Sequence, residues 1–272
     1  MVKKQLENFD LEQICNSGQC FRMKKTEENR YRVIAGERCL DISQKGKESI
    51  FYCSTEEFTE VWETYFDLDR DYGIYIDKIN PKDSYLQDAG EFGNGIRILK
   101  QDLWEMIVSF LISQQNNIVR IRRCIENICR EYGEEKTNIF DEIYYAFPKP
   151  ETLACLEEDD LKACNLGYRS KYVVRAAQGV VSGEIDLEAI EKMKYTEAKE
   201  ELLKIFGVGV KVADCICLFG LHHLEAFPVD THINQALEKH YKRGFAKRRY
   251  KGFEGVIQQY IFYYELFGGE TE

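Results

Sequence analysis

Residues 195–221, YTEAKEELLKIFGVGVKVADCICLFGL, set two glycines between two helical patterns, and this is the tightest constraint the chain places on its own fold. The spacing predicts a helix TEAKEELLKIF ending at Gly207, a three-residue turn Gly207-Val208-Gly209, and a second helix from near Val210, a helix-hairpin-helix. Glycine reaches positive φ readily and lets backbone N–H groups approach another molecule closely, while the second helix adds its positive end. Such a turn suits a phosphate. Taken alone, the same glycines also suit an ordinary αα-hairpin.

Lys211 separates these readings. A cation in the first turn of a helix is disfavoured by roughly 0.3–1 kcal/mol, so stability does not explain it. Either a phosphate justifies the charge or the site uses the amine in its neutral form. Neutralising an ordinary lysine near pH 7 costs about 4–5 kcal/mol. The helix start and a water-poor wall of Val212, Cys215 and Ile216 would both lower that cost, which is how a lysine becomes a nucleophile. A nucleophile that attacks a sugar carbon needs an anion near the developing positive charge, and Asp230 in FPVDTHINQAL is the candidate. The helix from Lys211 to Leu221 runs roughly 15 Å. The residues from 222 to 229 span up to about 26 Å, enough to return the chain to Lys211. Asp230 also fits as the N-cap of the next helix, and the two roles are compatible.

The rest of the chain divides in two. Segments QCFRMKK, RYRVIAG, RCLDIS and SIFYCS between 19 and 54 are short, aromatic and β-branched, and predict an antiparallel sheet. From residue 55 the pattern is helical, and AGEFGNG at 89–95 marks a break. The expected architecture is α+β: a sheet domain over 1–94 with flanking helices, packed on a larger helical domain over 95–272. The formal net charge of −10 argues mildly against a nucleic-acid partner. Charge is unevenly spread, however: residues 239–251, KHYKRGFAKRRYK, carry seven Lys or Arg and no acid, and residues 56–71 carry seven acids against one Arg. An acidic chain can present a basic face. Ten cysteines contain no C-x-x-C pair and no zinc or iron–sulfur spacing, so free thiols and no metal are expected. With no apolar h-region and no run of ~18 apolar residues, the expected setting is the cytosol, with no membrane partner.

GVGVKVADC followed by PVDTH resembles the helix-hairpin-helix DNA glycosylases, and specifically the 8-oxoguanine DNA glycosylase/AP lyase family, in a bacterial form. SGQCFR at 17–22, GIRILKQDLWEMIVSFLISQQNNIVRI at 95–121, LGYRSKYV at 166–173 and GVIQQYIF at 255–262 resemble family segments in the same order. The resemblance implies a monomer acting without cofactor on double-stranded DNA that holds 8-oxoguanine opposite cytosine. Lys211 would attack C1′ of the flipped nucleotide and hold the sugar as a Schiff base, and Asp230 would stabilise the cationic sugar. Gly18 would offer its carbonyl to the N7–H that guanine lacks. Phe262 and Cys215 would sandwich the purine, and Gln258 would read its Watson–Crick edge. His232 and the hairpin Gly207-Val208-Gly209 would hold backbone phosphate. Arg120, Tyr168 and Arg169 would meet the widowed cytosine and the gap in the stack, with Gln115 and Asn116 on the same loop. The family commonly has Asn where this chain has Gln115, and Ser where it has Cys20.

Each residue also has a structural alternative. Phe262 and Cys215 fit a plain core, Gly18 a turn, His232 a cap or surface position, and Arg120 with Arg122 and Arg123 a solvated helix face. Two functional alternatives remain: a sister glycosylase for other oxidised bases, and a helix-hairpin-helix DNA-binding module without catalysis. The endonuclease III type usually carries a C-terminal four-cysteine cluster, and no cysteine follows Cys217 here.

Overall fold

Alternating apolar and polar residues in the first fifty positions pair into a five-stranded antiparallel sheet, order β1-β5-β4-β3-β2. The strands are β1 Val2–Gln5, β2 Met23–Glu27, β3 Arg30–Ala35, β4 Arg38–Lys45 and β5 Glu48–Phe51 in the computed structural model, which describes residues 1–268. Register places Val33 opposite Leu40 and Tyr31 opposite Ile42, so one face of the sheet is a continuous apolar layer. That layer packs on the short helix Leu11–Asn16 and on Phe58, Trp62 and Phe66 of the following helical segment. QCF at 19–21 lies outside the strands, and β1 is an addition to the predicted sheet.

The described residues contain eight helices of eight residues or more: α1 Ser84–Phe92, α2 Leu103–Ser113, α3 Ile118–Tyr132, α4 Ser170–Ser182, α5 Tyr195–Leu202, α6 Val210–Phe219, α7 Thr231–His240 and α8 Glu254–Phe267. Apolar α2 and α6 lie at the centre of this second core. Residues 72–92 lie ahead of the predicted boundary after residue 94 but pack into the helical core, because Leu86 and Ala89 of α1 face that way and α1 lies against α8. A small hairpin, β6 Glu135–Thr137 with β7 Ile143–Tyr145, interrupts the helical part. It touches the sheet through Arg32, whose guanidinium grips Asp41 at 3.1–3.2 Å and also pairs with Glu142. Among the described residues no helix is long and apolar enough to cross a membrane, and no group of three His, Cys, Asp or Glu side chains could hold a metal. All ten cysteines are free thiols.

The two cores are fastened by buried polar groups. Arg97 donates to the carbonyls of Asn8, Asp67, Arg70 and Glu7 at 2.7–3.2 Å. Asp67 lies 3.0 Å from Lys100 and 3.3 Å from His222, just past the end of α6. Burial alone would raise the Asp67 carboxyl, but His222 and Lys100 outweigh it and hold it well below the usual carboxylate range. Stability from such a depressed group is present above the ordinary carboxylate value and lost as pH falls through the folded one. Asp67→Asn is therefore expected to lower unfolding free energy at pH 7 by about 3 kcal/mol. Denaturant melts at pH 7 and pH 3 check this: the gap to the parent protein should narrow as pH drops below about 4.

Candidate active site

The hairpin forms at the predicted turn, with one difference. Helix α5 ends at Leu202, not Gly207, and residues 203–208 tighten into three-residue turns, Lys204 N to Glu201 O at 3.0 Å and Val208 N to Ile205 O at 2.9 Å. Tightening satisfies carbonyls that a helix end otherwise leaves unpaired. Gly207 has φ +94, and a Cβ there would sit 2.6 Å from the Tyr172 ring, so both backbone and packing demand glycine. Gly209 caps α6 in extended conformation, and a Cβ there would meet nothing within 4 Å. The outer face of the turn is open to a ligand, while Val208 anchors it in the core.

Lys211 is the second residue of α6, and its Nζ lies 5.6 Å from the centroid of the Phe110 ring on α2. Cys215, one turn further along α6, faces the same amine. Burial pushes the Cys215 thiol up to about 11, the Lys211 charge pulls it down, and Asp214 and then Asp230 push it up again. Lys211 and Asp230 thus both act on the one sulfur, in opposite directions. The predicted wall differs: Val212 and Ile216 are core residues at one and five positions from Lys211, off its face, and Phe110 takes their place. Asp230 is the N-cap of α7, Oδ1 accepting from Ile233 N at 2.8 Å, as expected.

Gly18 follows the short helix Leu11–Asn16 at φ +76, and a Cβ there would lie 3.0 Å from the Phe262 ring. Phe262 on α8 in turn meets His232 of α7 edge-on, centroids 6.1 Å apart. Gln258, one turn before Phe262 on the same helix, is buried and accepts from Gln259 Nε2 at 3.0 Å. Gln19 holds this loop in place. Its buried amide donates to Ser17 Oγ and Arg97 O and accepts from Leu99 N, each at 2.8 Å. Gln101 then links Gln19 O to Phe219 O at the end of α6. Phe110 and Gln19 went unmarked in the sequence reasoning; Gln19, polar within an apolar stretch, was the available signal.

A second cluster lies on the α2–α3 loop. Gln115 has φ +48, an uncommon conformation for a residue with a Cβ. Asn116 bonds back to Ile112 O at 3.1 Å, and Arg120 sits exposed in the first turn of α3 beside Asn165 O. Exposed Tyr168 reaches Gln114 O at 3.4 Å. Arg169 does not project toward a partner: it is 3% exposed and donates to Gln114 O at 2.5 and 2.9 Å and to Gln115 O at 2.9 Å. It clamps the loop from inside, since a buried guanidinium needs acceptors and the loop supplies carbonyls. Tyr168 meets Tyr172 edge-on at 6.0 Å, and Tyr172 lies under Gly207. One aromatic ridge joins the Gln115 loop to the hairpin. Arg122 departs from the solvated-face alternative, donating to Cys15 O at 2.7 Å.

A sheet joined to a helix-hairpin-helix unit, with a lysine heading the second hairpin helix and an aspartate capping the helix that follows, defines a helix-hairpin-helix DNA glycosylase of the lysine-bearing kind. Residues 1–107 match the 8-oxoguanine DNA glycosylase N-terminal domain, and residues 108–250 match the HhH-GPD superfamily base excision DNA repair proteins. The chain is 30% identical over 272 residues to the N-glycosylase/DNA lyase of Saccharomyces cerevisiae, spanning 89% of this chain and 70% of that one. It is also 30% identical to the probable N-glycosylase/DNA lyase of Methanothermobacter thermautotrophicus, spanning 94% and 93%. The 8-oxoguanine glycosylase/lyase of Clostridium acetobutylicum, solved with double-stranded DNA containing cytosine opposite 8-oxoguanine, matches at TM-score 0.90 and 38% identity over 97% of this chain and 93% of that one. The chain belongs to the 8-oxoguanine DNA glycosylase/lyase family of the HhH-GPD superfamily.

Proposed function

We propose that this chain, as a monomer, excises 8-oxoguanine opposite cytosine in duplex DNA and then nicks the strand. Lys211 attacks C1′ of the flipped nucleotide, the glycosidic bond breaks, and the base leaves with the bonding electrons. Opening of the sugar ring gives a Schiff base, and loss of a C2′ proton then expels the 3′ phosphate by β-elimination. Asp230 faces the positive charge that develops on the sugar. The sheet part, residues 1–94, contributes Gly18, whose carbonyl accepts the N7–H. The helical part, residues 95–272 with 269–272 outside the described residues, contributes Phe262 and Cys215 on either face of the purine and Gln258 at its Watson–Crick edge. His232 and Gly207-Val208-Gly209 take phosphates. Gln115, Asn116, Arg120 and Tyr168 occupy the vacated stack and meet the cytosine.

The observation that carries this reading is the Lys211 amine at the start of α6, 5.6 Å from the Phe110 ring centroid, with its charge and that of Asp230 both acting on Cys215. Borohydride trapping over duplexes with one lesion and one opposite base tests it. The strongest adduct is expected with 8-oxoguanine opposite cytosine. Adducts on oxidised pyrimidines alone would move the chain to a sister activity.

Arg169 acts through the loop it clamps. Arg169→Ala frees the carbonyls of Gln114 and Gln115, and the excision preference for cytosine over adenine opposite the lesion is expected to fall about tenfold, the order of one charge-assisted bond to the cytosine lost when the loop moves. Single-turnover excision on the two duplexes reads this directly. An unaltered preference would remove Arg169 from recognition.

A further inference from the structure

A cavity of about 510 Å³ opens between the sheet and α3, and none of the residues assigned to base excision lines it. Six of its lining side chains are cationic and one, Glu126, is acidic. Two of the six are neutralised locally: Arg32 by Asp41 and Glu142, and Arg130 by Glu126 at 3.6 Å. Lys24, Arg122 and Arg123 form no ion pair among the described residues. Met23 enters the sheet core, so Arg22 and Lys24 on either side of it leave toward the cavity. In a chain of net charge −10, this concentration of uncompensated cations is a local feature with a cost.

The floor is more specific than the rim. The Arg22 side chain is 3% exposed, and among the described residues its Nε and Nη1 find no acceptor, while Nη2 donates to Tyr145 O. Arg122 Nε is likewise buried without an acceptor. Glu105 lies 3.8 Å from Arg22 Nη1, beyond hydrogen-bond distance. Burial pushes the Glu105 carboxyl up to about 7, against the pull of Arg22, so near neutrality it cancels the arginine charge incompletely. Buried donors without acceptors are rare in native proteins and mark places where something is missing. Phe21 and Tyr145 add aromatic wall, and the volume lies within the roughly 300–1,000 Å³ of small-molecule sites.

We propose that this cavity binds a nucleoside 5′-monophosphate, with the phosphate on Arg122, Arg123 and Lys24 and the base against the aromatic wall, its acceptors toward Arg22. A phosphate held on a duplex flank is the other source of this chemistry, but a duplex backbone cannot descend to side chains as buried as Arg22. The site stands apart from the flipped-base pocket, although Phe21 touches Phe110 edge-on at 5.7 Å and Phe110 carries Lys211.

Calorimetric titration of the full chain with 2′-deoxyguanosine 5′-monophosphate, 2′-deoxyguanosine and inorganic phosphate tests the assignment. The nucleotide is expected to bind tighter than either fragment. The double variant Arg122→Gln/Arg123→Gln should weaken it at least about tenfold, since each lost contact is charge-assisted. Excision of 8-oxoguanine should be unchanged in that variant, and Lys211→Gln should bind the nucleotide as the parent does. If the double variant melts low, Lys24→Gln at the exposed rim gives the same direction, a few-fold. The proposal is overturned by no nucleotide binding, by binding that survives the arginine changes or disappears in Lys211→Gln, or by phosphate alone binding equally well. Reduced duplex affinity in the double variant without any nucleotide binding would make the patch a DNA contact and overturn it too.

Discussion

Lys211→Gln is expected to give no borohydride-trapped adduct and no base release on 8-oxoguanine duplexes, while DNA affinity stays within a few-fold. An amide nitrogen does not attack C1′, and among the described residues no other lysine lies over the Phe110 ring. The structural cost is small because two terms oppose each other. Removing a cation from the first turn of α6 gains roughly 0.3–1 kcal/mol. Losing the amine from the Phe110 face, at 5.6 Å, costs about 0.5–1 kcal/mol. The melting temperature should therefore move by no more than about 2 °C. Trapping and single-turnover excision, measured beside a thermal melt, distinguish a lost nucleophile from a lost fold. An adduct formed by the Lys211→Gln protein would remove the lysine from the chemistry.

Local pattern carried most of the sheet and the hairpin, because both are written in short-range chemistry. Alternation over RYRVIAG and RCLDIS matches β3 and β4, and the Gly207-Val208-Gly209 turn lies where the glycines put it. Strand β1 was illegible: V-K-K-Q is four residues at an edge, half of them lysine, and its pairing with β5 is made almost fifty residues away. The end of α5 was misplaced for a different reason. LLKIF keeps helical apolar spacing, and only its tertiary packing converts those residues to tight turns. Within the site, Phe110 sits in LWEMIVSFLIS, where nearly every residue is buried and none announces that it faces a lysine a hundred residues on. Gln19 bonds to residues 97 and 99, so its part in setting Gly18 depends on a segment nearly eighty positions away. Arg169 shows the limit most plainly. Composition cannot tell an arginine that reaches outward from one that turns in to hold carbonyls.

Asp230→Asn isolates charge from structure better than any other single change in the site. The aspartate has two functions available to it: Oδ1 accepts from Ile233 N at 2.8 Å and caps α7, and its charge is felt at Cys215, where Lys211 also acts. Asparagine caps a helix as well as aspartate does, so the substitution keeps the first function and deletes the second. A unit charge about 4 Å from a cationic sugar contributes on the order of 4 kcal/mol at an effective dielectric of 20. Part of that is already present in the ground state, and only the excess that appears in the transition state accelerates the reaction. A loss of about 10²-fold or more in single-turnover excision is therefore expected, with duplex affinity within a few-fold and a melting temperature within about 2 °C. Asp230→Ala supplies the contrast, since it also removes the cap and should lower stability by about 1 kcal/mol. The two variants should then match in excision and differ in melting. Undiminished excision by Asp230→Asn, with only Asp230→Ala destabilised, would leave Asp230 as a cap and would require another source for the charge that meets the sugar.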